Sequence, residues 1–291
     1  MSVIIPTTCE ARRRRGLEQA IISVLRQTGV RVEIIIICNG QRQDPDLLTS
    51  LIRQSNLRVT SLLEGNVSKA RYVGVGQASG DFFCFLDDDD EYLPGALSTR
   101  LGVMKRNPNC DVVVTNGFVF HQGFDSVLVN AVSAQEINSD IGSSFFKQNW
   151  FASPGGMFRK GSIGADLFDF DYRFFEWTYL FFLLISKEKM ILFDESCTYR
   201  VNGDTPESAS KTVQYSLAYP EFIEALKKLE LPRRLKTALH KKYLAALNAQ
   251  SNIYLGQGQF IKSWLLHLKC VALGGWRYLP YTRHLIFPFS K

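Results

Sequence analysis

The sequence predicts an α/β fold in which a mixed, mostly parallel sheet carries helices on both faces and is followed by a C-terminal helical extension. Strand-like and helix-like segments alternate from Ser2 to Phe120, as they do in chains that build parallel sheets. The segment Val32–Cys38 contains four consecutive isoleucines, the composition of a strand buried on both faces. Polar residues directly follow several apolar runs, and ligands bind beyond the carboxyl ends of the strands in such sheets.

The individual elements follow from the spacing of apolar residues and from the residues that end each run. Helical spacing of alanine, leucine, isoleucine and valine predicts a first helix, an Asp-Pro pair starts a second, and Ser79-Gly80 ends a third. A fourth helix is expected to carry Pro94 in its first turn, where proline is favourable. The predicted strands are Ser2–Pro6, Val32–Cys38, Leu57–Leu63, Asp81–Leu86 and Asp111–Phe120, and the predicted helices are Gly16–Gln27, Asp44–Gln54, Ser68–Ala78 and Pro94–Lys105.

Charge divides the chain into two parts. Residues 211–291 contain 13 Lys and Arg and three acidic residues, so the net charge of +6 combines a tail of +10 with a first part, residues 1–210, of −4. Apolar residues recur at helical spacing over Tyr219–Leu229, Leu235–Gln250 and Phe260–Leu273 of the tail. We therefore predict an α/β domain over residues 1–205 and a basic, mainly helical extension over residues 206–291.

The compartment is predicted from cysteine usage and apolar runs. The six cysteines are scattered without a Cys-x-x-Cys pair, so neither a disulfide framework nor a zinc site is indicated. No run reaches the roughly eighteen apolar residues of a membrane span. The opening Met1-Ser2-Val3-Ile4-Ile5-Pro6 is typical of a core strand and not of a signal peptide. We expect a cytoplasmic protein.

The sharpest chemical signal is a run of four aspartates, Asp87 to Asp90, directly after an apolar strand. Neighbouring carboxylates repel one another, and each disfavours ionisation of the next. A divalent cation relieves this repulsion, since Mg²⁺ or Mn²⁺ binds a few carboxylate oxygens and fills its other positions with water and phosphate. The alternative is a solvated acidic turn before a helix. At the carboxyl edge of a sheet we favour the metal site.

Eight segments form an ordered set of motifs: Val3–Thr7, Ala20–Thr28, Glu33–Gly40, Asn66–Arg71, Ala78–Asp90, Ser153–Arg159, Phe174–Leu180 and Tyr199–Asn202. Their order and spacing, over about Ser2 to Asn202, resemble family 2 glycosyltransferases of the GT-A fold. The resemblance implies an inverting transfer of a sugar from a nucleotide-diphosphate donor to an acceptor hydroxyl, in polysaccharide, lipopolysaccharide or other glycoconjugate synthesis.

The resemblance also implies a role for each matching residue. Asp89, in the family's DxD motif, would coordinate Mn²⁺ or Mg²⁺, which stabilises charge on the departing diphosphate. The family often has two acidic residues where this chain has Cys38 and Asn39, which leaves the nucleobase open; Cys38 is expected to be a packed strand residue. The residues expected to bind the nucleotide-sugar are Pro6, Thr7, Glu10, Asn39, Arg71, Asp87 and Asp88.

Glu176 aligns with the family's catalytic base, because Phe174–Leu180 resembles a motif in which an acidic pair precedes tryptophan. Phe175 stands in place of the first acidic residue of that pair. One carboxylate of suitable reach is enough to take the proton of the acceptor hydroxyl as it attacks. Asp169 and Asp171 remain alternative bases.

Two basic segments each allow a functional and a structural interpretation. The run Arg12–Arg15 could attract a diphosphate or an anionic acceptor, although we favour a solvated loop. The basic tail could lie on an anionic bilayer as a peripheral membrane contact, which suits a glycan or lipid-linked acceptor, or pack on the α/β domain. It lacks a recognition module for nucleic acid, which is therefore not an expected partner. The tail ends with the aromatic residues Trp276, Tyr278, Tyr281, Phe287 and Phe289.

Two other functions remain open. A nucleotidyltransferase on a related sheet usually needs a glycine-rich phosphate loop after the first strand, whereas Pro6-Thr7-Thr8-Cys9-Glu10 contains no glycine. A non-catalytic protein that binds nucleotide-sugars with the same fold is suggested by four positions that depart from the family pattern. These are Cys38, Asn39, Phe175 and Asn202.

Overall fold

A computed structural model describes residues 1–172, 174–204 and 212–282. The chain forms two compact units, Met1–Pro206 and Glu207–Lys291. The predicted boundary between residues 205 and 206 lies outside the described residues, as do Phe287 and Phe289. Of the helices in the described ranges, none is long and apolar enough to cross a membrane.

The first half of the first unit is a parallel sheet. The four strands predicted here are confirmed: β1 (Ser2–Thr7), β2 (Glu33–Asn39), β3 (Leu57–Leu62) and β4 (Phe82–Phe85). They lie in the order β3-β2-β1-β4, with every neighbouring pair parallel. Val3, Ile4 and the four isoleucines of β2 are buried, as expected for strands covered on both faces.

Side-chain caps begin two of the four helices in this half. The Asp44 carboxylate accepts hydrogen bonds at the start of α2, and the Asn66 side chain accepts one from the Lys69 amide at the start of α3. The predicted helices are confirmed with small shifts at their ends: α1 (Arg14–Leu25), α2 (Pro45–Ile52), α3 (Val67–Gln77) and α4 (Ala96–Arg106).

The prediction that Pro94 lies in the first turn of α4 is wrong. The short strand β5 (Glu91–Tyr92) pairs with a later strand, and the Leu93 amide continues this pairing with a hydrogen bond to the Thr198 carbonyl. The chain therefore leaves the sheet only after Leu93, and Pro94 lies in the turn that precedes the helix. The chain turns into the helix at Gly95, whose φ of 75° suits glycine.

The second half of the first unit extends the sheet in mixed directions. Its elements are β6 (Val112–His121), β7 (Phe124–Val127), α5 (Ala134–Ser139), α6 (Ile141–Lys147), β8 (Gly156–Arg159), α7 (Glu176–Ser186) and β9 (Ile191–Asn202). The strand order continues from β4 through β8, β6 and β9 to β5; β6 and β9 are parallel, and the other pairs are antiparallel. Strand β7 forms a hairpin with β6.

An aromatic cluster fastens the start of α7 to the sheet. The Trp177 ring lies 5.3 Å from the ring of Phe85 on β4 and 6.4 Å from that of Phe158 on β8, measured between centroids. Phe83 stacks on Phe158 at 5.2 Å. Such ring pairs add to the free energy gained by burying apolar area. Because Trp177 is the second residue of α7, the cluster holds its neighbour Glu176 above the strand that leads into the aspartates.

The second unit is helical, as the sequence predicts. Its helices are α8 (Val213–Lys227), α9 (Arg233–Gly256) and α10 (Phe260–Gly274), followed by a 3-10 helix, Gly275–Tyr281. Helix α8 begins earlier than expected and contains Pro220. Helix α9 packs on α10, where the Ser251 and Ser263 side chains hydrogen bond to each other's backbone carbonyls.

Two glycines of α3 provide a matched test of its packing on the sheet. A Cβ atom at Gly74 would lie 2.4 Å from Ile4 Cγ2 and 3.5 Å from Ile37 Cγ1, whereas at Gly76 it would meet nothing within 4 Å. We expect Gly74→Ala to lower the free energy of unfolding by about 1–3 kcal/mol and Gly76→Ala to raise it by up to about 1 kcal/mol. Urea unfolding measures both. Equal effects would contradict this contact.

Candidate active site

The four aspartates lie beyond the carboxyl end of β4 in two different environments. Asp87 and Asp89 are partly exposed, whereas Asp88 and Asp90 are buried. The Asp88 carboxylate accepts a hydrogen bond from Thr7 Oγ1 at 2.6 Å. The backbone N–H of Asn202 donates a hydrogen bond to Asp90 Oδ1 at 3.1 Å. Thr7 and Asn202 end β1 and β9, so three strand ends meet around this run.

Burial makes the negative charge of this run costly. Burial raises the pKa of Asp88 to about 6, although the hydrogen bond from Thr7 and the positive charge of Arg13 both act to lower it. It raises the pKa of Asp90 well above its usual range, and the carboxylates of Asp87 and Asp89 add to that rise. The run therefore favours nearby positive charge.

Arg13 supplies part of that charge. Its Nη1 lies 3.3 Å from Asp88 Oδ1 and 3.1 Å from Asp89 Oδ2. Residues Ala11–Arg13 form a 3-10 helix that leads directly into α1, so the prediction of a solvated loop is wrong at Arg13. The start of α1 lies very close to the acidic run, because a Cβ atom at Gly16 would be 2.6 Å from the Asp88 carbonyl oxygen.

Arg71 joins the acidic run to Glu176. This arginine is buried on α3, and its Nη2 lies 3.2 Å from Asp87 Oδ1 while its Nη1 lies 3.9 Å from Glu176 Oε1. Its guanidinium also lies 4.9 Å above the centre of the Trp177 ring, a favourable cation–π geometry. The surface ion pair that would be an arginine's ordinary role is therefore excluded. The structure brings together the predicted metal-site loop and the predicted base.

Glu176 is held in a setting that suits a base. Burial raises its pKa, while the charge of Arg71 acts in the opposite direction. The preceding Phe175 has a φ of 64°, a conformation that costs a bulky residue about 1–3 kcal/mol and often accompanies functional sites. The alternative bases Asp169 and Asp171 are both exposed, and Asp171 accepts a hydrogen bond from Asn66 Nδ2 at 2.9 Å.

A small cavity lies beside Glu176. Ser68, Arg71 and Trp177 line it together with the apolar side chains of Phe168, Phe170 and Leu180. Within the described part of the chain, no hydrogen-bond partner accepts from Ser68 Oγ, from Arg71 Nε and Nη1, or from Trp177 Nε1. Buried donors are nearly always satisfied in proteins. Sequence reasoning did not select Ser68 or Trp177, whose donors become notable only through burial.

The remaining predicted residues lie along the ends of β1 and β2. Asn39 Nδ2 donates to the Thr7 carbonyl at 2.9 Å, and Glu10 pairs with Arg12 at 2.8 Å. Pro6 is buried within β1. Cys38 is fully buried, which confirms it as a packed strand residue.

The Cys38 thiol has a partner in Cys9. Pairing with the Cys9 thiol, together with burial, raises the pKa of Cys38, whereas the same pairing lowers the pKa of Cys9. Cys38 therefore stays a neutral thiol and cannot stand in for a carboxylate at this position.

A cleft of about 760 Å³ opens on the Asp89 side of the acidic run. Its walls come from α1, the β5 region and the end of β9, including Arg26, Arg200 and Asn202. Its size falls within the roughly 300–1,000 Å³ of small-molecule sites. The acidic run thus lies between the cleft on one side and the Arg71–Glu176 pair on the other.

Comparison with known proteins decides the family. Residues 2–162, more than half of the chain, match the family model described as Glycosyl transferase family 2. The chain belongs to this family. The matched region contains β1 to β4 and every predicted site residue except Glu176.

Curated relatives of this family 2 glycosyltransferase match it over part of their length. A GalNAc(5)-diNAcBac-PP-undecaprenol beta-1,3-glucosyltransferase of Campylobacter jejuni is 36% identical over 105 residues, 35% of this chain and 33% of the relative. An uncharacterized glycosyltransferase of Rickettsia typhi is 24% identical over 204 residues, 70% of this chain and 56% of the relative. The alignments thus span between a third and just over half of these relatives.

Solved structures confirm the expected GT-A fold. Residues 1–349 of S. aureus TarS, in complex with UDP-GlcNAc, align with a TM-score of 0.58 and 14% identity, covering 95% of this chain and 82% of that one. The mannosyltransferase PcManGT from Pyrobaculum calidifontis, in complex with GDP-Man and Mn²⁺, aligns with a TM-score of 0.57 and 12% identity, covering 99% and 80%. At these identities the likeness concerns the fold.

The buried Asp88 carboxyl predicts how stability depends on pH in metal-free buffer. Its pKa is higher in the folded protein, so its contribution to stability is greatest below about pH 4 and is lost as the pH rises through about 6. We expect Asp88→Asn to raise the free energy of unfolding near pH 8 by about 2–3 kcal/mol and to have little effect near pH 4. Chemical unfolding at the two pH values measures this. The exposed Asp81→Asn is the control, and a pH-independent Asp88→Asn effect would contradict the burial argument.

Proposed function

We propose that this family 2 glycosyltransferase transfers a sugar, with inversion, from a nucleotide-diphosphate donor to an acceptor hydroxyl. Glu176 takes the proton of that hydroxyl as its oxygen attacks the anomeric carbon, and the nucleoside diphosphate leaves. One observation carries the proposal. The Arg71 guanidinium contacts both Asp87 of the acidic run and Glu176, so the residues for the leaving group and for the proton belong to one site.

The raised pKa of Glu176 supports its role as the base. A base works best when its pKa approaches the working pH, and burial moves the pKa of Glu176 in that direction. Arg71 limits the rise, which keeps the carboxylate available to accept a proton.

The acidic run fits a divalent ion of the Mn²⁺ or Mg²⁺ type. In the described ranges, no three His, Cys, Asp or Glu side chains form a complete metal cage. Mg²⁺ commonly takes one or two carboxylates and completes its shell with water and substrate phosphates, which suits the partly exposed Asp89. When bound, the ion would neutralise charge on the leaving diphosphate. Arg13, which balances Asp88 and Asp89 now, would add positive charge near that diphosphate.

The donor is proposed to lie across the ends of β1, β2 and β4. Thr7 and Asn39 end two of these strands, Pro6 and Glu10 flank Thr7, and the Asp87 and Asp88 carboxylates complete the edge with Arg71. Solved relatives in complex with UDP-GlcNAc and with GDP-Man and Mn²⁺ share this fold, which supports a nucleotide-sugar and a divalent ion.

The acceptor is proposed to be a glycan or a lipid-linked glycan, in polysaccharide, lipopolysaccharide or other cell-envelope glycoconjugate synthesis. The name of the Campylobacter jejuni relative contains an undecaprenol-diphosphate-linked glycan, which supports this class. We further propose a cytoplasmic protein in peripheral contact with the inner face of the cell membrane through its C-terminal region. Six free cysteines, five of them buried, support a reducing compartment.

The proposal predicts a large and specific loss on changing the base. With a donor found by thermal shift among UDP- and GDP-sugars in the presence of Mn²⁺, we expect Glu176→Gln to lower kcat by about 10²- to 10⁴-fold. Donor affinity should stay near wild type, because the amide keeps the shape of the side chain. Hydrolysis or transfer of a radiolabelled sugar measures kcat.

The matched control is Asp171→Asn, a change from carboxylate to amide at an exposed position, which should leave kcat nearly unchanged. Loss of activity in Asp171→Asn and not in Glu176→Gln would move the base to Asp171. Donor binding by the wild type without turnover of any sugar would identify a non-catalytic binding protein.

A further inference from the structure

Helix α10 of the second unit packs with its polar face inward. Ser263, His267 and Cys270 follow one another at helical spacing and are almost completely buried. The Ser263 hydroxyl donates to the Ser251 carbonyl at 2.8 Å, and the Cys270 thiol donates to the Leu244 carbonyl at 3.3 Å, both on α9. A helix on a globular core normally buries its apolar stripe. In α10 that arrangement is reversed over these positions.

Three large apolar residues of α10 are exposed on the outer side of the helix. Ile261, Leu265 and Leu268 are 79%, 62% and 56% exposed, and their spacing of four and three residues places them on one side of the helix. In the following 3-10 helix, Trp276 and Leu279 are 79% and 54% exposed and also share a side. We call these five residues the apolar stripe. A run of large exposed side chains of this kind usually marks an interaction surface.

The segment that carries the apolar stripe is positively charged, although Lys269 of α10 lies 3.9 Å from Glu224 of α8. From residue 231 to residue 291 the sequence has no Asp or Glu and ten Lys and Arg. Lys262 and Arg277 are exposed next to stripe residues, and further exposed cations line α9. Lysine and arginine can keep their charged ends in water while their stems lie along apolar surface.

We propose that the apolar stripe docks into the interfacial layer of an anionic lipid bilayer, with α10 lying in the plane of the membrane. A lipid surface of this kind offers an apolar layer and negative head groups together, which matches large apolar side chains beside a net positive charge. Helix α10 has 15 residues, fewer than the roughly 20 that span a bilayer, so it fits along the surface. This assignment rests on the proposed peripheral membrane contact and identifies the residues that make that contact. The proposed sugar transfer does not depend on membrane docking.

Vesicle co-sedimentation of the full chain tests the proposal. We expect binding to vesicles of phosphatidylcholine mixed with phosphatidylglycerol, much weaker binding to phosphatidylcholine alone, and a decline with salt. The double variant Leu265→Ser/Leu268→Ser should bind anionic vesicles at least about tenfold more weakly, since each leucine loses its burial in lipid. The matched control is Leu63→Ser/Phe124→Ser, which changes two exposed apolar residues of the first unit and should bind like wild type.

A second variant guards against a folding defect. Lys262→Glu/Arg277→Glu keeps the stripe, so it should retain the circular dichroism of the wild type and lose binding to anionic vesicles. Unchanged binding in both the serine and the glutamate variants would overturn the proposal. So would a wild-type dimer that the serine variant turns into a monomer, because the stripe would then join two copies. Donor hydrolysis without vesicles should equal wild type in every variant, which separates failure of docking from failure of the proposed transfer.

Discussion

Repulsion among four adjacent aspartates is the constraint around which the first unit is arranged. Carboxylates this close disfavour one another's ionisation, and burial of Asp88 and Asp90 increases the cost. Hydrogen-bond donors and positive charges from distant parts of the chain stabilise these carboxylates. They are the Thr7 hydroxyl from β1, the Arg13 guanidinium, the Arg71 guanidinium from α3 and the backbone N–H of Asn202 from β9. They converge because the ends of β1, β4 and β9 lie at one edge of the sheet.

The same convergence sets the position of Glu176. The aromatic cluster fixes Trp177 against β4 and β8, and Arg71 lies over the Trp177 ring while reaching both Asp87 and Glu176. Phe175 accepts an unfavourable backbone conformation, which turns the chain sharply at the start of α7 and is tolerated because the surrounding core determines it. The packing of the aromatic core thus holds the Glu176 carboxylate near the aspartates, which repel it.

Local patterns were sufficient for most of the elements and for part of the site. Apolar periodicity and helix caps predicted β1 to β4 and α1 to α3 closely, because these signals lie within each segment. The start of α4 was wrong because the pairing of β5 with β9 joins residues that are far apart in sequence. Arg13 was misassigned for a similar reason, since its contact depends on the close approach of α1 that Gly16 permits. Which aspartates turn inward is likewise decided by Thr7 and Asn202, and the sequence of the run itself does not distinguish them.

The central claim is that the partly exposed carboxylates of this run hold a divalent ion against a diphosphate within reach of Glu176. The most direct measurement is anomalous diffraction from crystals of the full chain soaked with Mn²⁺ and a nucleoside diphosphate. The claim predicts a manganese peak bonded to an Asp89 oxygen and to diphosphate oxygens, next to the Asp87–Arg71–Glu176 contacts. A nucleotide bound elsewhere, or manganese bound away from Asp87 to Asp90, would contradict it.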